Sequence, residues 1–265
     1  MRNVRVQIAY DGSRFYGWQR QDGFPTVQEA LEEAVVGLLG QVVTVHGAGR
    51  TDTGVHALRQ VASFHVDTRL ADDRLLHALN AHLPEGIVLR RLETCRADFH
   101  AQFDATGKRY LYRVQTARFR PPFGRDHAHW VRDPLDLAAM RAAAAELVGE
   151  RDFSALANAG SPRRSNVRRL SAVHLIARRE ALLVVMQGSG FLYNMARTIA
   201  GTLLEVGRGR RDAGELAAVL ASGDRRRAGP TAPAAGLYLL AVRYAEPVFA
   251  GRPRGPRGVA GAFQY

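Results

Sequence analysis

Apolar residues recur along this chain in two rhythms, one of period two and one near 3.6. Residues 4–10 (V-R-V-Q-I-A-Y) alternate and predict a strand. The stretch YDGSRFYGWQRQDGFP follows, broken by Gly12, Gly17, Gly23 and Pro25. Thr26 then predicts an N-cap for VQEALEEAVVGLL, with Glu29 completing a capping box. Val27, Leu31, Ala34, Val35 and Leu38 make one apolar face of that helix, and Gly40 ends it. Residues 42–45 and 60–66 read as strands, with GAGRTDTGVHA between them. Asp72 is expected to cap a helix through Leu83, closed by Pro84 and Gly86, before a strand at 87–92.

The second half repeats this order. A strand at 108–115 (KRYLYRVQ) leads to an Ala-rich helix at 135–148 and a loop at 153–166. Residues 168–177 and 181–187 predict a hairpin, 191–206 and 213–221 two helices, and 237–244 the last strand. Both halves read β-α-β-β-α-β, the ferredoxin-like split order. The expected fold is α+β: two ferredoxin-like halves, 1–104 and 105–247, joined in one largely antiparallel or mixed sheet. Helices would cover one face and leave the other free to bind. The Gly/Pro/Arg-rich segment 248–265 is expected to be mobile.

Composition narrows the function. The chain has 265 residues, 37 Lys+Arg against 25 Asp+Glu, and a net charge of +12. Lys108 is the sole lysine, so arginine in its place reads as codon bias; the excess over acids still points to an anionic partner, most often nucleic acid. Basic pairs at Arg163/Arg164, Arg168/Arg169 and Arg178/Arg179, and the run Arg225 to Arg227, put most of that excess in the second half. One cysteine, Cys95, excludes an internal disulfide and any zinc site of several cysteines. No signal-peptide core opens the sequence and no apolar run suits a membrane span, so the expected compartment is the cytoplasm.

Three segments carry candidate chemistry. In G-A-G-R-T-D-T-G-V-H, glycines bracket Asp52 on a tight loop beside Arg50. Asp52 either makes an Asx-turn or is a carboxylate poised as base, nucleophile or ligand. His46, His56, His65, His127 and His129 show neither HExxH nor paired-cysteine spacing, so no metal site is expected. On the strand from Lys108, Lys108, Tyr110 and Tyr112 share one face, and Arg109 and Arg113 the other. A ring beside cations suits a stacked base, though a core tyrosine has the same pattern. In FLYNMARTIAG, Arg197 is the lone charge and either snorkels or finds a carboxylate. The Gly188–Gly190 motif GSG ahead of a helix suits an anion or a plain turn.

In this order, YDGSRFYGWQRQ, GRTDTGVHA, DFHAQFDATGKRYLYRV, FLYNMARTIAG and GLYLLAVRY resemble the bacterial tRNA pseudouridine synthase A (TruA) family. The resemblance spans about residues 4–245, and GRTDxGVHA is highly specific to the family. It implies isomerisation of uridine to pseudouridine at tRNA positions 38, 39 and 40, in the anticodon arm. It further implies a cleft between the halves, a homodimer that contacts each tRNA through both subunits, and no cofactor or metal. By the same resemblance Asp52 is the catalytic aspartate and Tyr110 stacks on the target uracil. Arg197 pairs with Asp52, Arg50 assists base flipping and Leu237 lines the uracil pocket. Thr53 stands where Ala is common in the family. The covalent step is open between C1′ of the ribose and C6 of uracil, and Tyr110 is one candidate to take the C5 proton. An ion pair with Arg197 is expected to keep Asp52 ionised. The competing readings are a non-catalytic tRNA-binding or chaperone protein on this scaffold and a metal-dependent nuclease.

Overall fold

A computed structural model describes residues 1–158, 160 and 165–249 of the protein. The elements run β1 (Arg2–Tyr10), α1 (Val27–Leu39), β2 (His46–Gly47), β3 (His56–Val66), α2 (Asp72–His82) and β4 (Ile87–Thr94). The chain continues through β5 (Ala105–Gln115), β6 (His129–Trp130), α3 (Leu137–Glu146), β7 (Gly149–Asp152) and β8 (Val167–Ala177). It finishes with β9 (Ala181–Gly188), α4 (Met195–Gly207), α5 (Glu215–Ser222) and β10 (Leu237–Tyr244).

The strands form one sheet in the order β4-β1-β3-β10-β5-β9-β8-β7, with β2 also on β3 and β6 on β5. Within each half the spatial order is the same: fourth, first, third, second strand (β4-β1-β3-β2, then β10-β5-β9-β8). The expected α+β, ferredoxin-like repeat is therefore present. The halves meet at β3 and β10, which pair in parallel through Tyr238–His56 and Leu239–Ala57. β2 uses the same edge of β3 further along, at Ala62 and Ser63.

Alternation sorts the two faces. Val4, Val6, Ile8 and Tyr10 of β1 join Tyr110, Tyr112 and Val114 of β5 in one core with the buried residues of all five helices. The helices thus share one face, as expected. A smaller cluster of Ala48, Val61, Phe99, Ala101 and Phe249 lies on the other. The last of these lies in the terminal segment 248–265, of which the first two residues are described. Phe249 N–H donates to Glu93 at 2.7 Å, and its carbonyl accepts from Arg91 at 2.7 Å. Residues 250–265 and the Arg163/Arg164 pair lie outside the described residues.

Several boundaries differ from the sequence reading, for physical reasons. Residues 42–45 are not a strand: Val42 is 92% exposed, and Val45 N–H is taken by the buried Glu32 carboxylate at 3.0 Å. Asp72 does not cap α2; it accepts from Thr94 N–H at 2.8 Å and from Arg2 at 2.9 Å, tying the helix to two strands. Thr26 does cap α1, accepting from Glu29 N–H at 3.4 Å, and Gly40 ends the helix in the left-handed region at φ 66°. α4 starts four residues late, because Asn194 is left-handed (φ 59°) and residues 191–194 turn into the cleft.

Candidate active site

The cleft opens where β2 and β10 part along β3. Residues 48–55 loop out there before β3 begins, and the turn-rich segment after β1 braces them from beneath. Trp18 N–H donates to the Thr51 carbonyl at 3.0 Å, and the Tyr10 and Thr51 hydroxyls meet at 2.8 Å. Gln60 donates to the Gly49 carbonyl at 2.6 Å. The glycines are required by this contact. A Cβ on Gly12 would sit 2.0 Å from the Val55 carbonyl oxygen, and one on Gly17 (φ 88°) 2.6 Å from that of Thr51. Val55 N–H closes the turn onto the Asp52 carbonyl at 3.1 Å. What read in the sequence as a string of turns is the clamp that fixes the aspartate loop.

Asp52 thereby points across the seam. Among the described residues its carboxylate bonds to Arg197, Nη1 to Oδ2 at 3.3 Å, rather than to a loop N–H as an Asx-turn would have it. Arg197 does not snorkel. Its Nε donates to the Ala232 carbonyl at 2.7 Å and its Nη1 to Asn194 Oδ1 at 3.0 Å. Close packing of α4 sets this position, since a Cβ on Gly201 would lie 1.8 Å from the Pro230 carbonyl oxygen. Burial pushes the Asp52 carboxyl up from its ordinary value, and the charge and hydrogen bond of Arg197 offset only part of that rise.

Tyr110 is buried on β5, edge-on to Phe191 with ring centroids 4.8 Å apart. Burial, then the nearby Tyr10 and Asp52, push its phenol up, so it carries its proton at neutral pH. Tyr112, two residues on, is a core residue whose hydroxyl donates to the Pro233 carbonyl at 2.9 Å. Leu237 is buried at the start of β10, opposite Tyr112. Arg50 is exposed at the rim. Asp52, Arg197, Tyr110, Leu237 and Arg50 all line one cavity of about 820 Å³, within the size range of small-molecule sites. Tyr110 and Leu237 belong to the helix-side core, while Ala48, also in the cavity wall, belongs to the smaller cluster.

Sequence reasoning missed two sets of residues. Phe191, Leu192, Tyr193 and Asn194 line the cavity from a non-helical turn. Asp11, His56 and His127 come together behind the aspartate loop, their donor atoms within 4.8 Å of one another. Hydrogen bonds occupy this second group. Gly12 N–H donates to His56 Nδ1 at 3.1 Å, and His56 Nε2 lies 2.8 Å from the Asp126 carbonyl. His127 Nε2 meets Asp11 at 3.0 Å, and Tyr238 donates to the His127 carbonyl at 2.7 Å. Burial lowers the His56 pKa, and His127 adds to the effect against Asp11, so the ring is held neutral. The cluster clasps the two halves together beside their two-residue seam.

A carboxylate, its arginine and an aromatic wall thus meet in one cavity. A family model for tRNA pseudouridine synthase matches residues 7–104 and 143–245. A tRNA pseudouridine synthase A of Acetivibrio thermocellus is 43% identical over 244 residues, covering 92% of this chain and all of that protein. One of Solidesulfovibrio magneticus is 45% identical over 262 residues (96% and 95%), and one of Neisseria meningitidis 41% over 252 (95% of each). The chain belongs to the tRNA pseudouridine synthase family. It is an isomerase that converts uridine in tRNA to pseudouridine.

Proposed function

We propose that the protein acts on uridines 38, 39 and 40 of the tRNA anticodon stem-loop, with Asp52 as the covalent catalyst. The observation that carries this is the Asp52–Arg197 pair, made across the seam at the wall of the Tyr110–Leu237 cavity. The reaction breaks the N1–C1′ bond and forms a C5–C1′ bond; N1 gains a proton and C5 loses one. No electrons enter or leave. Asp52 attacks as its carboxylate, at C1′ or at C6, and Arg197 holds it both aimed and ionised against its burial.

The target base lies in a stem or loop and must leave its stack. Arg50, exposed at the rim, fills the gap it leaves. Tyr110 and Leu237 receive the ring, a stacking contact worth about 1–3 kcal/mol per base. With its pKa raised, Tyr110 serves as a wall and a neutral hydrogen-bond donor. Among the described lining residues Asp52 is the one carboxylate, and once freed it is the acceptor for the C5 proton. The protein works as a homodimer in the cytoplasm, each tRNA touching both subunits, with no cofactor or metal. Among the described residues no helix is long and apolar enough to cross a membrane.

Tritium release from tRNA carrying [5-³H]uridine, in excess EDTA, tests the reading. Wild type should release label from the anticodon arm and Asp52→Ala should not, while still binding tRNA. Tight binding without release by wild type would favour the non-catalytic reading.

A further inference from the structure

Lys108 is a half-buried cation in the cavity wall. It stands on β5 two residues before Tyr110, on the same face, and lines the same cavity as Asp52. Its ammonium lies against the aspartate loop, where a Cβ on Gly49 would be 3.0 Å from Nζ. Among the described residues no carboxylate and no hydrogen-bond acceptor engages it; the one charge acting on it is Arg168, of the same sign. Lys108 faces Gly188 in register, at the start of the Gly-Ser-Gly turn. Arg168 lies at the other end of that turn, where a Cβ on Gly190 would be 3.5 Å from its Nε. Arg168 Nη1 is tethered by the carbonyls of Ser165 at 3.0 Å and Val167 at 2.6 Å.

Two cations thus converge on a turn whose one side chain, that of Ser189, accepts from Arg169 N–H at 3.2 Å, beside a nucleoside-sized cavity. A partly buried ammonium beside a like charge is unfavourable until an anion arrives. Burial and Arg168 both push its pKa down, the signature of a site short of negative charge. The ligand that enters this cavity is a polyanion with one phosphate per nucleotide. Arg50 stands exposed at the rim and Arg197 is spent on Asp52.

We propose that Lys108, with Arg168, forms a phosphate seat at the wall of the uridine cavity, which takes a phosphodiester adjoining the flipped nucleotide. This rests on the isomerase reading for the identity of the polyanion. The seat would hold the strand by its backbone while Tyr110 and Leu237 hold the base. It positions without reading sequence, as phosphate contacts do.

The test uses the full chain and synthetic anticodon stem-loops with a methylphosphonate at the linkage 5′ or 3′ of the target uridine. With wild type, neutralising one of these linkages should weaken binding about ten-fold and flatten the slope of log K against log salt by about 0.7–1. Lys108→Gln should show the same loss on the native stem-loop and little further loss on the neutralised one. Lys108→Arg should recover most of the binding. In tritium release, KM of Lys108→Gln should rise roughly ten-fold, with kcat falling about three-fold or less. Wild-type binding indifferent to both neutralised linkages would overturn the proposal, whether or not Lys108→Gln folds. So would full additivity of the substitution and the methylphosphonate. If wild type binds but releases no tritium from the native stem-loop, the isomerase reading fails instead, and the binding series still decides on the seat.

Discussion

The two halves share a topology but bring their residues to the cleft in different ways. The first half presents Asp52 on an irregular loop whose path is set by backbone contact, glycine against carbonyl, with little side-chain freedom. The second half presents Tyr110 and Leu237 from two strands, aimed by the core they share, and Arg197 from a helix, held by the Ala232 carbonyl and Asn194. Asp52 is thus held by a clamp, and the wall of Tyr110 and Leu237 by packing. A clamp fails abruptly when an atom is added, whereas packing loosens by degrees.

Substitutions that break each arrangement should separate them by size. Asp52→Ala should lower tritium release by about ten-thousand-fold or more while tRNA binding, read by filter retention, persists. Gly12→Ala should come next, because its Cβ would meet the Val55 carbonyl at 2.0 Å. A loss of more than about 2 kcal/mol in urea unfolding is expected, with activity falling alongside; a variant as stable and active as wild type would refute the clamp.

On the other side, Tyr110→Ala should cost about 1–3 kcal/mol of transition-state binding, and Tyr110→Phe much less, as judged by kcat/KM. Arg197→Gln should move the acidic limb of the kcat/KM profile to higher pH. Burial already raises the Asp52 pKa, and removing the guanidinium removes what offsets it, so ionised Asp52 is lost at a higher pH as acid is added. An unmoved limb would show that Arg197 aims the carboxylate without tuning it.

The smallest effect belongs to the clasp between the halves. Burial alone would raise the Asp11 pKa, but hydrogen bonds from Ser13 and then the electrostatic pull of His127 and His56 outweigh it, and the net value is lowered. A depressed carboxylate adds stability above its unfolded pKa and loses it as pH falls through the lower folded value. Asp11→Asn should therefore cost about 1 kcal/mol or less near neutrality and flatten the acid side of the stability curve below about pH 4. Equal slopes for variant and wild type would dismiss the clasp.

What the sequence disclosed, and what it hid, follow the same division. β1, α1 and β10 are legible because period and caps are local. The glycines around Asp52 marked that loop as unusual, and an arginine alone in an apolar stretch announced the need for a carboxylate. Neither revealed that the two meet, since 145 positions separate them and only the sheet order brings them together. Residues 42–45 misled because Glu32, thirteen residues earlier, takes the N–H that a strand would have used. The 191–194 turn was hidden by a sequence that reads as helix, and the Asp11–His56–His127 group because its members come from three separate segments.

The position of β10 governs when the site can exist at all. This strand is the last in the described chain, yet it lies in the middle of the sheet, between the third strand of the first half and the first strand of the second. On the ribosome the early half emerges with one edge of β3 still open beside Asp52. Nothing closes that edge until residues 237–244 leave the exit tunnel. A nascent chain interrupted earlier carries the aspartate loop but lacks Leu237 and the seam, and until Arg197 has emerged it also lacks the partner of Asp52. The cleft therefore takes shape only when the last described strand joins the two halves, however early its aspartate loop was made.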